Sequence, residues 1–138
     1  MAGTLVVSIS GIRGIYGRGL DPDVIVNYTY AYGEWILRQQ HASPLVIIGR
    51  DARVSGPACS KLVIETLRNQ GIDVIDTGLA TTPTLEMAVI KEAATGGIVL
   101  SASHNPAEWN ALKLLNGEGE FLSPADAAAL IDAAKQPD

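Results

Sequence analysis

Short runs of apolar residues alternate along the chain with longer segments in which apolar residues recur every three or four positions. A short run bounded by glycine, proline or polar turn residues is typical of a buried strand, whereas a period of three to four is typical of an amphipathic helix. The short runs, which we predict to be strands, are residues 5–9, 45–48, 72–76, 98–100 and 112–115.

Each predicted helix begins with a residue that can cap its first turn, followed by proline. Asp, Ser and Thr side chains accept hydrogen bonds from first-turn amides, and proline fits there because it has no amide to satisfy. The four starts are Asp21-Pro22, Ser55 with Pro57, Thr82-Pro83 and Ser123-Pro124. The expected buried faces are Ile25, Tyr28, Tyr32, Trp35 and Ile36 in the first helix, Cys59, Leu62, Val63, Thr66 and Leu67 in the second, and Leu85, Ala88, Val89 and Ala93 in the third.

This alternation predicts an α/β fold, a three-layer α/β/α sandwich on a mixed, mostly parallel sheet. A hairpin in which residues 116–119 turn strand 112–115 into residues 120–122 is expected to make the sheet mixed. Residues 11–19 contain four glycines, and we predict a turn region there; the spacing fits neither a dinucleotide fingerprint nor a Walker loop. Residues 1–138 are expected to form a single domain.

Composition and charge narrow the class of protein. The chain has 138 residues, 47% of them hydrophobic, and a formal net charge of −5. A folded domain is expected, and neither nucleic acid nor a membrane is expected as a partner. The only cysteine, Cys59, lies in an apolar stripe and is expected to be a buried hydrophobe rather than a nucleophile. Since no signal peptide or membrane-length apolar run is evident, we expect a cytoplasmic protein.

The candidate chemistry follows the predicted strand at residues 98–100. That strand ends in Ser101-Ala102-Ser103-His104-Asn105-Pro106, which would bring a hydroxyl, an imidazole and an amide to the edge of a sheet. Pro106 keeps Asn105 out of the helical region. The residues alone favour Ser103 and His104 as a loop-capping pair over a catalytic one. A serine hydrolase is a weaker alternative, because the Gly-x-Ser-x-Gly elbow and an oriented acid are missing.

Basic residues are expected to collect around this loop. Ligands of open α/β sheets bind beyond the carboxyl ends of the strands. Arg50 and Asp51 follow one predicted strand as Ser103 follows another, so the two loops share an edge if the strands are parallel. The basic residues that could then surround Ser103 are Arg13, Arg50, Arg53 and Lys113, and together they concentrate positive charge where an anion such as phosphate could be held. Arg13 would lower the pKa of Lys113; alternatively, Lys113 is a solvated residue on an edge strand.

Three motifs, taken in order, resemble the first domain of the alpha-D-phosphohexomutases, the family of phosphoglucomutase, phosphomannomutase and phosphoglucosamine mutase. They are Ser10-Gly11-Ile12-Arg13-Gly14, then Gly49-Arg50-Asp51-Ala52-Arg53-Val54-Ser55-Gly56-Pro57, and finally the loop above followed by Glu108-Trp109-Asn110-Ala111-Leu112-Lys113. The resemblance covers essentially the whole chain. Two positions depart from it, since Ala111 stands where many members have glycine and Trp109 where tyrosine is common.

The resemblance implies a role for each residue of the candidate site. Ser103 would carry a phosphoryl group, give it to a sugar monophosphate, and recover the other phosphoryl group of the resulting hexose bisphosphate. Arg13 and Lys113 would line the transfer site and assist proton transfer. His104 and Asn105 would shape the loop and contact the phosphoserine or sugar oxygens.

Further residues are expected to hold the loop in shape. Asn110 matches a loop-shaping position of the family. Structural support behind the loop is expected from Arg50, Asp51, Arg53 and Ser55; the alternative is that they serve only in ion pairing or helix capping.

The resemblance also implies a magnesium ion, bound to Ser103 through its phosphate. Its main ligands would come from an Asp-Gly-Asp-Gly-Asp-Arg loop that this sequence does not contain, and the sugar-selecting loop and phosphate clamp are missing too. The expected function is therefore the first domain of a phosphohexomutase that interconverts hexose 1-phosphate and hexose 6-phosphate, inactive alone. Its partners would be a phosphosugar and the remaining domains of the enzyme. The alternative is a non-catalytic module that binds phosphosugars or other anions.

Overall fold

The structure, a computed structural model, describes residues 4–8, 11–40, 42–102 and 105–135. Over these residues strands and helices alternate. The strands are β1 (Val6–Ser8), β2 (Gly11–Ile15), β3 (Leu45–Arg50), β4 (Asp73–Leu79), β5 (Gly96–Leu100) and β6 (Trp109–Leu115). The helices are α1 (Pro22–Leu37), α2 (Gly56–Asn69), α3 (Thr82–Lys91) and α4 (Pro124–Ala134). None of these helices has the length and apolar composition needed to cross a membrane.

The strands form a mixed sheet in the order β1-β2-β6-β5-β3-β4. β3 is parallel to β4 and β5, whereas β6 is antiparallel to β5 and β2, and β2 is antiparallel to β1. The predicted α/β fold on a mixed sheet is confirmed, with β2, β3, β4 and β5 all pointing the same way.

The prediction that a hairpin strand at residues 120–122 makes the sheet mixed is wrong. Residues 120–122 form no strand, and Phe121 makes only an isolated bridge to Leu115. The strands that run the other way are β1 and β6. β6 reverses because the connection after β5 is too short for the crossover of a dozen or more residues that a parallel strand needs.

Alternate residues along the strands face two separate apolar layers. On one face, Ile48, Ile98 and Leu112 belong to a core that includes the buried residues of α1, α2 and α4. On the other face, Ile47 and Val99 belong to a smaller core with α3. The predicted three-layer arrangement is therefore confirmed, with three helices on one face of the sheet and one on the other.

The predicted helix faces are buried with few exceptions. The fully buried residues of the predicted sets are Ile25, Tyr28, Tyr32, Ile36, Cys59, Val63, Thr66, Leu67, Leu85 and Val89. Trp35, Leu62 and Ala88 are partly buried. The prediction for Ala93 is wrong: α3 ends at Lys91, and Ala93 is exposed with a φ of 52°. Ala94 is buried in its place.

The glycine-rich segment is a strand rather than a turn over Gly11–Ile15. It forms β2, between β1 and β6. Gly11 is needed there for close packing, since its φ is 140° and a Cβ would lie 2.9 Å from the carbonyl oxygen of Leu112. The turn itself is confined to the residues between the bridge partners Tyr16 and Leu20.

Only some of the predicted helix caps form. Ser123 accepts a hydrogen bond from the amide of Asp126 at 3.1 Å, as expected. Thr81, one residue before the predicted cap, accepts from the amide of Thr84. Asp21 makes no cap bond to α1 and accepts instead from the amide of Gly19 at 3.1 Å.

The hydroxyl of Tyr32 joins α1 to the middle of the sheet. It accepts from the amide of Gly97 at 2.9 Å and donates to the carbonyl of Leu115. A Cβ on Gly96 would collide with this hydroxyl, which accounts for glycine in an otherwise apolar strand. Burial raises the pKa of Tyr32, so the bridge stays protonated. The contact holds β5 and β6 in register beneath α1.

Replacing Tyr32 with phenylalanine should lower the free energy of unfolding by about 1–3 kcal/mol, because two buried backbone groups lose a partner. Chemical denaturation measures the change. Tyr30→Phe is the matched control, since Tyr30 is 53% exposed, and it should change the free energy of unfolding by less than about 0.5 kcal/mol. Equal effects for the two variants would contradict the role given to Tyr32.

Candidate functional site

β5 leads directly into the candidate loop. All five of its residues are buried, and its last residue, Leu100, is the register partner of Arg50 at the end of β3. The amide of Asp51 donates to the carbonyl of Leu100 at 3.1 Å. The loops after β3 and β5 therefore share an edge of the sheet, as predicted for parallel strands. Ser103 and His104 lie outside the described residues, and their roles remain a prediction.

Arg53 ties these two loops together. Its Nη1 donates to the carbonyl oxygens of Asn105 at 3.1 Å, Pro106 at 2.7 Å and Trp109 at 3.1 Å. Its Nε donates to Oδ2 of Asp51 at 2.9 Å, and the Arg53 side chain is only 10% exposed. Hydrogen bonds from a charged donor are stronger than neutral ones. The segment that follows the candidate nucleophile is thus held by an ion pair on the neighbouring loop.

The sequence motif singles out Arg53 and Asp51 but not the carbonyl partners of Arg53. Every residue has a backbone carbonyl, so the side chains of Asn105, Pro106 and Trp109 carry no signal for this contact. The amide of Asn105 adds a further turn bond to the carbonyl of Ala102 at 3.0 Å.

Replacing Arg53 with methionine should accelerate amide exchange in residues 105–109 and lower the free energy of unfolding by about 1–3 kcal/mol. Methionine keeps much of the aliphatic volume but cannot donate to the three carbonyls. Hydrogen-exchange mass spectrometry of the peptide measures the first effect, and denaturation the second. Arg38→Met, at the exposed end of α1, is the control; the same exchange rates in both variants would show that Arg53 does not hold the loop.

Arg13 and Lys113 lie on neighbouring strands and face the same side of the sheet. Arg13 is the register partner of Ala111, which places it diagonally across from Lys113. Lys113 is paired with Val99, whose side chain belongs to the α3 core. The alternative that Lys113 lies on an edge strand is wrong, because β6 is flanked by β2 and β5.

The environment of Lys113 disfavours its charge. Burial lowers the pKa of Lys113, the positive charges of Arg13 and Arg53 lower it further, and Asp51 acts in the opposite direction. The lowered pKa predicted from Arg13 is confirmed in direction, although burial is the larger cause. A lysine with a lowered pKa has more of the neutral amine near neutral pH, which suits proton transfer.

Replacing Arg13 with glutamine should raise the pKa of Lys113 towards its ordinary value. The reason is that a nearby positive charge disfavours the protonated amine, and the substitution removes it. NMR titration of the Lys113 side chain measures the pKa. Arg18→Gln removes the same charge from the exposed turn after β2 and should leave that pKa unchanged. A drop in the pKa, or an equal rise in both variants, would contradict the pairing.

Arg50 does not join these basic residues. It is paired with Leu100, which belongs to the core of α1, α2 and α4, so its side chain leaves the sheet on the face opposite to Lys113. There it lies over α2, where a Cβ on Gly56 would come within 2.9 Å of its Cδ. Strand alternation therefore separates Arg50 from Arg13 and Lys113, and its expected place around Ser103 stays a prediction.

Asn110 anchors the start of β6 to the start of α2. It is fully buried; its Nδ2 donates to Oγ of Ser55 at 2.9 Å, and its Oδ1 accepts from the amide of Ala111 at 2.9 Å. Ser55 therefore makes no cap bond to α2, contrary to the prediction. Burial raises the pKa of the adjacent Cys59 thiol to about 11, which keeps it neutral, as expected for a buried hydrophobe.

The described residues do not form a complete metal site. No three His, Cys, Asp or Glu side chains among them come together as ligands. Asp51, the carboxylate at the shared edge of the loops, is bound to Arg53. Magnesium needs several oxygen ligands in octahedral geometry, and this part of the chain offers no such set.

Comparisons with known proteins show which family this chain is similar to. The family model described as phosphoglucomutase/phosphomannomutase, alpha/beta/alpha domain I, matches residues 5–138. A phosphoglucomutase/phosphomannomutase of Thermococcus kodakarensis is 41% identical over 112 residues, which is 81% of this chain and 25% of that protein. A phosphoglucosamine mutase of Levilactobacillus brevis is 33% identical over 130 residues, 89% of this chain and 29% of that protein.

Solved structures show the same fold. One from Thermus thermophilus has a TM-score of 0.87 and 27% identity, covering 97% of this chain and 30% of that one. A phosphoglucomutase/phosphomannomutase family protein from Burkholderia thailandensis has a TM-score of 0.77 and 27% identity, covering 94% of this chain and 31% of that one.

The chain belongs to the phosphoglucomutase/phosphomannomutase family and corresponds to its alpha/beta/alpha domain I. It spans between a quarter and a third of the length of the curated relatives described above.

Proposed function

We propose that this chain is the phosphoserine-bearing first domain of a phosphohexomutase that interconverts hexose 1-phosphate and hexose 6-phosphate through a hexose bisphosphate. The observation that carries the proposal is the pair Arg13 and Lys113 on one face of the sheet, within electrostatic range of Asp51 and Arg53. Family membership supports it, because the relatives are named as mutases.

The proposed chemistry divides the work between three residues. Ser103 carries the phosphoryl group and returns to a free hydroxyl when the group passes to the sugar. Arg13 neutralises charge on the transferred group, which is the main task of a protein in phosphoryl transfer. Lys113 takes the proton that the attacking hydroxyl loses, since its lowered pKa makes the neutral amine accessible. His104 and Asn105 contact the phosphoserine or the sugar.

The remaining parts of the reaction belong, in this proposal, to the other domains of the enzyme. They supply the main ligands of a magnesium ion that also binds the phosphate on Ser103, the loop that selects the sugar, and the clamp for its second phosphate. The isolated chain is therefore expected to show no turnover. Glucose, mannose and glucosamine phosphates are all candidate substrates, as the names of the relatives indicate.

Phosphorylation of Ser103 is the direct test. Incubating the enzyme that contains this domain with a hexose bisphosphate should add the mass of one phosphoryl group, and peptide mapping should place it on Ser103. Ser103→Ala should abolish both the added mass and the mutase activity, while Ser101→Ala keeps the label. Intact-mass and peptide mass spectrometry measure the label, and a coupled assay the activity.

Two results would overturn this proposal. Label on Ser101, or label that persists in Ser103→Ala, would exclude Ser103 as the carrier. Hexose phosphate binding without any label or turnover would instead identify a non-catalytic phosphosugar-binding module.

A further inference from the structure

A groove beside α2 contains charged side chains that the proposed function does not use. It lies on the face of the sheet opposite to Arg13 and Lys113 and has a volume of about 420 Å³. Its polar lining consists of Arg50, Ser60, Lys61, Glu65, Arg68 and Asp76. We call it the α2 groove.

The three cations of the α2 groove come from two elements. Arg50 enters from the carboxyl end of β3, while Lys61 and Arg68 lie seven residues apart and so on the same side of α2. Among the described residues, none of the three takes part in an ion pair or side-chain hydrogen bond, although Glu65 lies one helical turn from both Lys61 and Arg68 on α2.

The groove also contains two carboxylates, Asp76 and Glu65, which form no ion pair with these cations. Asp76, on β4, accepts a hydrogen bond at Oδ1 from the amide of Gly78 at 2.8 Å. Glu65 is exposed on α2. Within the part of the chain that the structure describes, neither forms an ion pair with Arg50, Lys61 or Arg68. Three cations and two carboxylates leave a local charge of +1 in a chain whose formal net charge is −5.

Gly56 makes room for Arg50 at the wall of the groove. A Cβ at this position would lie 2.9 Å from Cδ of Arg50 and 3.3 Å from its Nε. The φ of Gly56 is ordinary, so the backbone does not require glycine here, and the close approach of Arg50 does. Glycine at this position therefore leaves space for the Arg50 side chain beside α2.

We propose that the α2 groove binds a phosphate monoester that carries hydroxyl groups, such as a sugar phosphate, at a site separate from the Ser103 loop. Guanidinium and ammonium groups are the usual partners of phosphate oxygens. Asp76 and Glu65 accept hydrogen bonds from hydroxyl groups, which a bare phosphate does not provide. The volume is within the range of small-molecule sites. The inference does not depend on the proposed chemistry of Ser103.

Titration of the chain with glucose 6-phosphate, inorganic phosphate and glucose tests the proposal. Calorimetry and amide chemical shifts should show that glucose 6-phosphate binds most tightly and shifts residues of α2. Arg50→Gln and Lys61→Gln should each weaken it about tenfold, the loss expected when one charge-assisted contact is removed. Asp76→Asn should favour inorganic phosphate over glucose 6-phosphate, because it removes a repulsive charge and replaces a charged hydroxyl acceptor with a weaker, neutral one.

A matched control separates binding at this site from general charge effects. Lys91→Gln removes one exposed cation from α3, on the other face, and should not change the affinity of the α2 groove. If Arg50→Gln fails to fold, the affinities of Lys61→Gln and Arg68→Gln, at two exposed positions, test the proposal instead. Unchanged affinity in these variants, or equal weakening by Lys91→Gln, would overturn the proposal. Inorganic phosphate binding as tightly as the ester, unaffected by Asp76→Asn, would indicate an adventitious ion only.

Discussion

The guanidinium of Arg53 is the contact on which the geometry of the candidate site depends. The carbonyl oxygens of Asn105, Pro106 and Trp109 come together beside this group, and that of Pro106 also accepts from the amide of Trp109 at 2.9 Å. A single charged nitrogen satisfies all three. Asp51 offsets the charge and orients the group. Because Asp51 and Arg53 follow β3, the shape of one loop is set by the position of the neighbouring strand.

The mixed sheet explains how an acidic chain presents two separate basic regions. Reversal of β6 places Lys113 between β2 and β5, next to Arg13, where both burial and like charge disfavour its protonated form. Alternation along β3 sends Arg50 to the other face, over Gly56 and α2. The two regions are therefore separated by the thickness of the sheet, and the charge of the chain as a whole says little about either of them.

Local sequence patterns predict the structure well where the conformation of an element depends only on its own residues. The strands of residues 45–48 and 98–100, the apolar face of α1 and the Ser123 cap all follow from period and cap chemistry. The errors occur where a neighbour intervenes. Gly11–Ile15 form a strand because they pair with β6, which passes too close to Gly11 for a side chain. Ser55 accepts at Oγ from the buried Asn110 instead of from an amide of its own helix.

The sequence by itself determined the α/β class, most of the order of the elements and the loops that carry the candidate chemistry, because periodicity and turn residues act over a few positions. It missed β2 and predicted a strand at residues 120–122 that does not form. Only the tertiary structure decided which strands are neighbours, and hence that Lys113 is flanked on both sides, that Arg50 and Lys113 lie on opposite faces of the sheet and that Arg53 reaches three carbonyls. Those outcomes depend on pairing between residues about 50 to 100 positions apart. Local propensity does not encode such pairing, since many registers bury the same apolar residues and the packed core selects one of them.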